Sequence, residues 1–175
     1  SSNMFGKTNS KFQNENTKFN PQSPYAIAKS SAYFTIKYYR ETYGLFASTA
    51  IFYNHESPRR TTDYVSRKIT SSVVKILEKK LTKLELGDIS AKIDWGYSRE
   101  YVIAAHKMLQ LKKPVDLVIG TGKEYSVEEF AKDAFRYVGL DYKKYIKINK
   151  KLIRPAKNSP LFADSSKAKK LIRFK

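Results

Sequence analysis

Tyr25 and Lys29 stand four residues apart in the run Ser23-Pro24-Tyr25-Ala26-Ile27-Ala28-Lys29. On a helix that spacing puts both side chains on one face, a turn apart. An ammonium held beside a phenol favours the phenolate, so a tyrosine paired in this way can move a proton near neutral pH instead of near its free pKa of about 10. The pair is therefore a candidate for general acid-base chemistry. The same spacing describes any Tyr and Lys on a solvated helix face, and spacing alone leaves both readings open. Gly120-Thr121-Gly122 invites a phosphate-loop reading. No Walker pattern and no complete Gly-x-Gly-x-x-Gly is present, however, and the two glycines fit a strand-to-helix turn better.

The elements that must position these groups are legible in outline. Ser23 followed by Pro24 is a cap with a first-turn proline, and apolar residues recur through Ile27, Ala28, Ala32, Phe34, Ile36, Tyr38 and Tyr39 to a stop at Gly44. The wealth of aromatics on this long helix predicts burial on several sides. Residues 45–53 form an apolar run bounded by Gly44 and Asn54 and predict a buried strand. Parallel sheets carry ligand sites at the carboxyl ends of their strands, which is where Asn54 and His55 fall. Val65, Ile69, Val73, Ile76 and Leu77 predict a helix over 64–80, with Arg67 and Lys68 near its start. A strand enters a turn at Gly87, and Ser98 is expected to cap a helix containing Val102, Ala105, Met108 and Leu109. Residues 116–122 read as a second buried strand, and Ser126-Val127-Glu128-Glu129 is a capping box opening an amphipathic helix to Tyr137. Residues 6–24, rich in Asn, Lys, Gln, Ser and Pro, predict an irregular loop.

Composition removes several function classes. At 175 residues and 41% hydrophobic, the chain can bury a real core and is not disordered. It has no cysteine, so a disulfide framework and a cysteine-ligated zinc are impossible, and its two histidines make a poor metal site; no metal is expected. No apolar run approaches the roughly 20 residues of a membrane helix, and no signal-peptide pattern opens the chain, so the reading is cytoplasmic with no membrane partner. The net charge of +18 invites nucleic-acid binding, but the lysines are scattered through every segment, which fits a solvated basic surface better. No nucleic-acid partner is expected.

Several blocks carry a family resemblance: Ser1-Ser2-Asn3-Met4-Phe5-Gly6, the Ser-Pro-Tyr-x-x-x-Lys run, Asn54-His55-Glu56-Ser57-Pro58-Arg59-Arg60, Arg67-Lys68-Ile69, Asp94-Trp95-Gly96 and Arg154-Pro155. Together they resemble the extended branch of the short-chain dehydrogenase/reductase superfamily and, within it, the GDP-mannose 4,6-dehydratases. The resemblance covers the whole chain, and the seven-residue run from Asn54 is its most specific part. It implies NADP as cofactor, a GDP-mannose or related GDP-sugar substrate, and internal redox with loss of water to give GDP-4-keto-6-deoxymannose. Tyr25 and Lys29 would be the catalytic pair, and Ser1 would orient the sugar oxygen. His55 and Arg60 fall on the NADP side with Tyr25 and Lys29, and Asn54, Arg67, Lys68, Gly87 and Arg154 on the nucleotide-sugar side. Asn3 stands where the family carries a glutamate that takes the C5 proton, and an amide cannot do that work. Ile93 stands where the pattern has an arginine before the aspartate.

The fold implied is α/β, an incomplete Rossmann-like extended short-chain dehydrogenase/reductase fold holding late sheet elements, with a smaller mixed α/β substrate-binding domain. Residues 1–63 would be the carboxyl part of the NADP-binding domain. Residues 64–175 would be mainly the substrate domain, with some segments returning to the first. No dinucleotide fingerprint occurs, so the chain reads as the carboxyl-terminal part of such a protein. A homodimer or homotetramer is implied. A related GDP-sugar reductase or epimerase, a GDP-heptose dehydratase, or an inactive homologue that binds nucleotide sugar are the alternatives.

Overall fold

A computed structural model describes residues 1–153 and 161–175; Arg154 and Pro155 lie outside the described residues. In chain order the elements are β1 (Phe12–Gln13), α1 (Pro24–Tyr43), β2 (Ala50–Phe52), β3 (Asn54–Glu56), α2 (Val65–Leu77), β4 (Leu84–Leu86), β5 (Lys92–Ile93), β6 (Trp95–Tyr97), α3 (Ser98–Leu109), β7 (Leu117–Ile119), β8 (Tyr125–Ser126), α4 (Val127–Tyr137), β9 (Ile146–Ile148), β10 (Phe162–Ala163) and α5 (Ser166–Ile172). Among the described residues the strands pair two by two. The elements divide into two compact units.

The first unit holds Ser1–His55, Asp94–Glu124 and the segment carrying β10 and α5. Its centre is the parallel pair β2 and β7, with Ile51 against Val118, flanked by α3 and α5. Leu117, Val118 and Ile119 are fully buried, as an apolar strand covered on both faces should be. They pack with Phe5, Tyr53, Tyr101, Met108, Ile172 and Phe174. The regular strand starts at Ala50, later than its apolar run suggests, because Asp116 takes over the backbone at Thr49. The Thr49 N–H donates to Asp116 Oδ1 at 2.9 Å, and the Arg40 guanidinium grips both carboxylate oxygens at 2.7 Å. α1 runs from the Ser23 cap, whose hydroxyl accepts from the Ala26 N–H at 3.2 Å, to Gly44 in the left-handed region at φ 67°, where glycine is free of the Cβ clash.

Two expectations need correction here. α1 is not buried on several sides, since only Ala26 and Ser30 are buried while Phe34, Tyr38, Tyr39 and Tyr43 are all exposed. The described residues supply no surface that covers that face. Ser98 does not cap α3 either. Tyr97 holds the cap position without a side-chain hydrogen bond, and Ser98 is the first helical residue.

The second unit holds Glu56–Ile93 and the stretch from Tyr125 through β9 to the 3-10 turn Lys150–Leu152. Here α2 packs on α4, burying Ile69, Val73 and Ile76 from one and Val127, Ala131 and Phe135 from the other. Each of these except Ala131 contributes about 1.5–3 kcal/mol on leaving water. β4 and β9 are parallel, with Leu84 against Ile146. The capping box at α4 forms as expected: Ser126 Oγ accepts from the Glu129 N–H at 3.0 Å, and Glu129 Oε2 accepts from the Ser126 N–H at 2.6 Å.

The Arg40 and Asp116 pair yields a stability prediction for the first unit. Desolvation raises the Asp116 pKa, but the Arg40 hydrogen bonds, the Thr49 N–H and the Arg40 charge outweigh it and hold the group below the ordinary aspartate range. A carboxyl lowered on folding stabilises the fold above its unfolded pKa, and that contribution is lost as pH falls through the folded value. Asp116→Asn is expected to cost about 2 kcal/mol at neutral pH, with the deficit closing below about pH 4, as read by urea denaturation across a pH series.

Candidate active site

The amino-terminal segment is held by the loop that follows it. The Asn20 N–H donates to the Met4 carbonyl at 3.0 Å, Asn20 Nδ2 donates to the Lys7 carbonyl at 2.8 Å, and Phe19 packs on Phe5 at 5.4 Å between ring centroids. Gly6 sits at φ 53° with the Asn20 carbonyl where a Cβ would lie, so no other residue fits the approach. The 3-10 turn Ser2–Met4 packs on α1. Ser1 is half-buried, its Oγ accepting from the Asn3 N–H at 3.4 Å, and the Asn3 side chain is exposed.

On α1, Tyr25 and Lys29 share a face, with the Lys29 Nζ over the Tyr25 ring at 5.7 Å from its centroid. The Tyr25 side chain is 54% exposed at the head of the helix, and its hydroxyl has no hydrogen-bond partner among the described residues. Such a phenol is free to engage a ligand. The pair can therefore carry a proton to or from a bound hydroxyl with a fixed positive charge alongside.

Asn54 and His55 follow the carboxyl end of β2. Asn54 is exposed, and the His55 Nδ1 lies 2.7 Å from the Tyr53 carbonyl oxygen. The His55 ring stacks on Tyr101 at 4.8 Å and 27°. This end of the unit is tied together by Asp94, which the sequence reading quoted in a motif without giving it a task. Its carboxylate is fully buried and accepts from the Thr121 N–H and hydroxyl, the Gly122 N–H and the Ala163 N–H at 2.6–2.9 Å. The Gly120-Thr121-Gly122 turn, whose N–H groups need an acceptor, was the available signal.

In the second unit, the Arg60 guanidinium lies over the Tyr64 ring at 3.6 Å from its centroid. Its Nε approaches Glu56 Oε2 at 3.1 Å as an ion pair not aligned as a hydrogen bond, and the Ser66 hydroxyl donates to the same oxygen at 2.7 Å. Stacking and ion pairing hold the fork in one orientation. Tyr64, Glu56 and Ser66 were not singled out from the sequence, although the four-residue step from Glu56 to Arg60 was visible. Arg67 and Lys68 are half-buried in the opening turns of α2. Gly87 has a packing reason for its identity, since a Cβ there would come within 2.7 Å of the Leu152 carbonyl oxygen.

The described residues thus gather Ser1, Tyr25 and Lys29 at one end of α1, set Asn54 and His55 after β2, and place Arg60, Arg67, Lys68 and Gly87 in the second unit. The fold is that of the nucleotide-sugar dehydratases and epimerases built on an extended dinucleotide-binding domain. A dTDP-glucose 4,6-dehydratase from Bacillus anthracis in complex with NAD aligns at TM-score 0.86 and 21% identity, over 100% of this chain and 54% of that one. RMD from Pseudomonas aeruginosa complexed with NADPH aligns at TM-score 0.90 and 17% identity, over 100% and 59%. Within that class the chain belongs to the GDP-mannose 4,6 dehydratase family, which matches residues 1–175. GDP-mannose 4,6 dehydratase 2 of Arabidopsis thaliana is 46% identical over 100% of this chain and 47% of its own length; the human GDP-mannose 4,6 dehydratase is 38% identical over 99% and 51%. The chain spans about half the length of the curated relatives it matches.

Proposed function

We propose that this chain is the catalytic-helix and sugar-nucleotide part of a GDP-mannose 4,6-dehydratase, a carbon–oxygen lyase that converts GDP-mannose to GDP-4-keto-6-deoxymannose and water. The observation that carries the reading is the exposed Tyr25 hydroxyl at the head of α1 with the Lys29 ammonium over its ring. Membership of the family supports it. Lys29 and the His55 imidazole in the first unit and, taken by itself in the second, the pre-oriented Arg60 guanidinium are each of a type that suits a phosphate-bearing dinucleotide. NADP, held on the side of Tyr25, Lys29, His55 and Arg60, would supply reversible hydride chemistry. Tyr25 takes the proton from the sugar 4-hydroxyl, Lys29 supplies positive charge beside it, and Ser1 orients the sugar oxygen. Asn54, Arg67 and Lys68 face the nucleotide sugar, as does Gly87. Arg154, outside the described residues, is assigned there by motif alone.

No helix among the described residues is long and apolar enough to cross a membrane. The exposed aromatic face of α1 suits a homodimer or homotetramer. The test of activity is to express the full encoding frame, add NADP and GDP-mannose, and follow the 4-keto-6-deoxy product by mass and NMR. Product formation supports the reading, and tight GDP-mannose binding without product sinks it.

Asn3 favours a second reading. Its exposed amide can neither accept nor return a proton as a carboxylate does. A GDP-sugar reductase or epimerase, or an inactive binder, accommodates that residue, whereas a GDP-heptose dehydratase needs the same missing base. If Asn3 is what limits dehydration, Asn3→Glu raises turnover about 10²-fold, the ordinary worth of a positioned base. An unchanged rate in a variant that still binds GDP-mannose removes Asn3 as the limiting group.

A further inference from the structure

His55 is surrounded by rings. Tyr101 stacks on it at 4.8 Å and 27°, and Phe52 meets it edge-on at 5.3 Å and 77°. Tyr101 is in turn wedged edge-on by Phe52 at 5.4 Å and by Phe174 at 5.8 Å, and it is fully buried. Gly96 makes room for it, since a Cβ there would fall 2.3 Å from the tyrosine ring. The Tyr101 hydroxyl has no hydrogen-bond partner among the described residues, so a tyrosine here gains nothing from its oxygen that a phenylalanine would lack. What the site uses is the ring.

The Tyr53 carbonyl oxygen 2.7 Å from His55 Nδ1 can only accept. The proton must then lie on Nδ1, and in the neutral ring Nε2 is left as an acceptor. Among the described residues Nε2 has no hydrogen-bond partner, and the side chain is half-buried, not sealed. We infer that Tyr101 is a positioning residue that holds His55 in its Nδ1–H form, so that Nε2 accepts a hydrogen bond from an N–H or O–H of the nicotinamide dinucleotide. This rests on the assignment of His55 to the cofactor side made above.

The test uses the protein from its full encoding frame, labelled with ¹⁵N-histidine at a pH where the imidazole is neutral. His55 is identified by the signals that vanish in His55→Gln. The wild type is expected to show a protonated Nδ1 and a bare Nε2 at His55, with Nε2 moving on NADP addition. Tyr101→Phe keeps that signature and binds NADP within about twofold of wild type. Tyr101→Met fills the space without a stacking plane, mixes the two tautomers and weakens NADP binding about tenfold, the worth of one lost hydrogen bond. A wild-type His55 protonated on Nε2 overturns the inference, as does a folded Tyr101→Met that keeps the wild-type signature. If Tyr101→Met does not fold, Tyr101→Leu, which also removes the stacking plane, takes its place with the same two outcomes. A locked tautomer with NADP affinity unchanged in His55→Gln overturns the cofactor contact, and it marks the functional assignment of His55, not the role of Tyr101, as the point of failure.

Discussion

On the proposed dehydratase reading, Tyr25→Phe in the full encoding frame is expected to lower turnover of GDP-mannose by about 10³-fold while leaving the fold intact. General acid-base groups contribute roughly 10²–10⁴-fold, and the phenol oxygen is the only atom this change removes. The fold should not register it, because Tyr25 is 54% exposed and its hydroxyl bonds to no described residue. The Michaelis constant should move little, since a group that acts on the reacting oxygen contributes mainly in the transition state. Steady-state kinetics with the 4-keto product read by mass, together with a melting curve, check both halves. A variant retaining more than about a tenth of wild-type turnover would remove Tyr25 from the proton path.

Asp94→Ala is expected to produce the largest loss of stability, about 3–5 kcal/mol. One fully buried carboxylate accepts from three backbone N–H groups and one hydroxyl, at Thr121, Gly122 and Ala163. Alanine leaves those donors buried without an acceptor. Asp94→Asn does little better, because its amide turns N–H toward N–H. The control is Asp133→Asn, which breaks an exposed pair with Arg136 and should cost under about 0.5 kcal/mol. Urea midpoints of the three proteins rank them, and equal midpoints for Asp94→Ala and the control would refute the clamp.

What could be read from sequence was local. The first-turn proline after Ser23 and the glycine at 44 bounded α1, the Ser126 and Glu129 pair opened α4, and a four-residue step placed Lys29 over Tyr25, because all of these are settled within a turn of helix. Asp94, the Arg40 and Asp116 grip and the Tyr101 stack were hidden. Each depends on a partner many positions away, and periodicity carries no word of distant donors. The length of the strand after Gly44 was misjudged for the same reason: the apolar pattern continues, but a carboxylate from Asp116 claims the backbone at Thr49. Burial of α1 was overestimated because aromatic content measures what a surface could cover, whereas exposure depends on what is there to cover it.

The pairing of β1 with β10 bears on the order in which this protein can be made. Gln13 is fully buried, and its Oε1 accepts from the Tyr53 hydroxyl at 2.8 Å and from the Phe162 N–H at 3.0 Å, across 149 residues of chain. At a ribosomal pace of roughly 5–20 residues per second, Gln13 emerges about 7–30 s before Phe162. Through that interval the loop ahead of the tyrosine helix has no carboxyl-terminal strand to pair with. A ribosome that stalls before Phe162 therefore leaves Tyr25 and Lys29 already synthesised while the loop ahead of their helix still lacks its β10 partner.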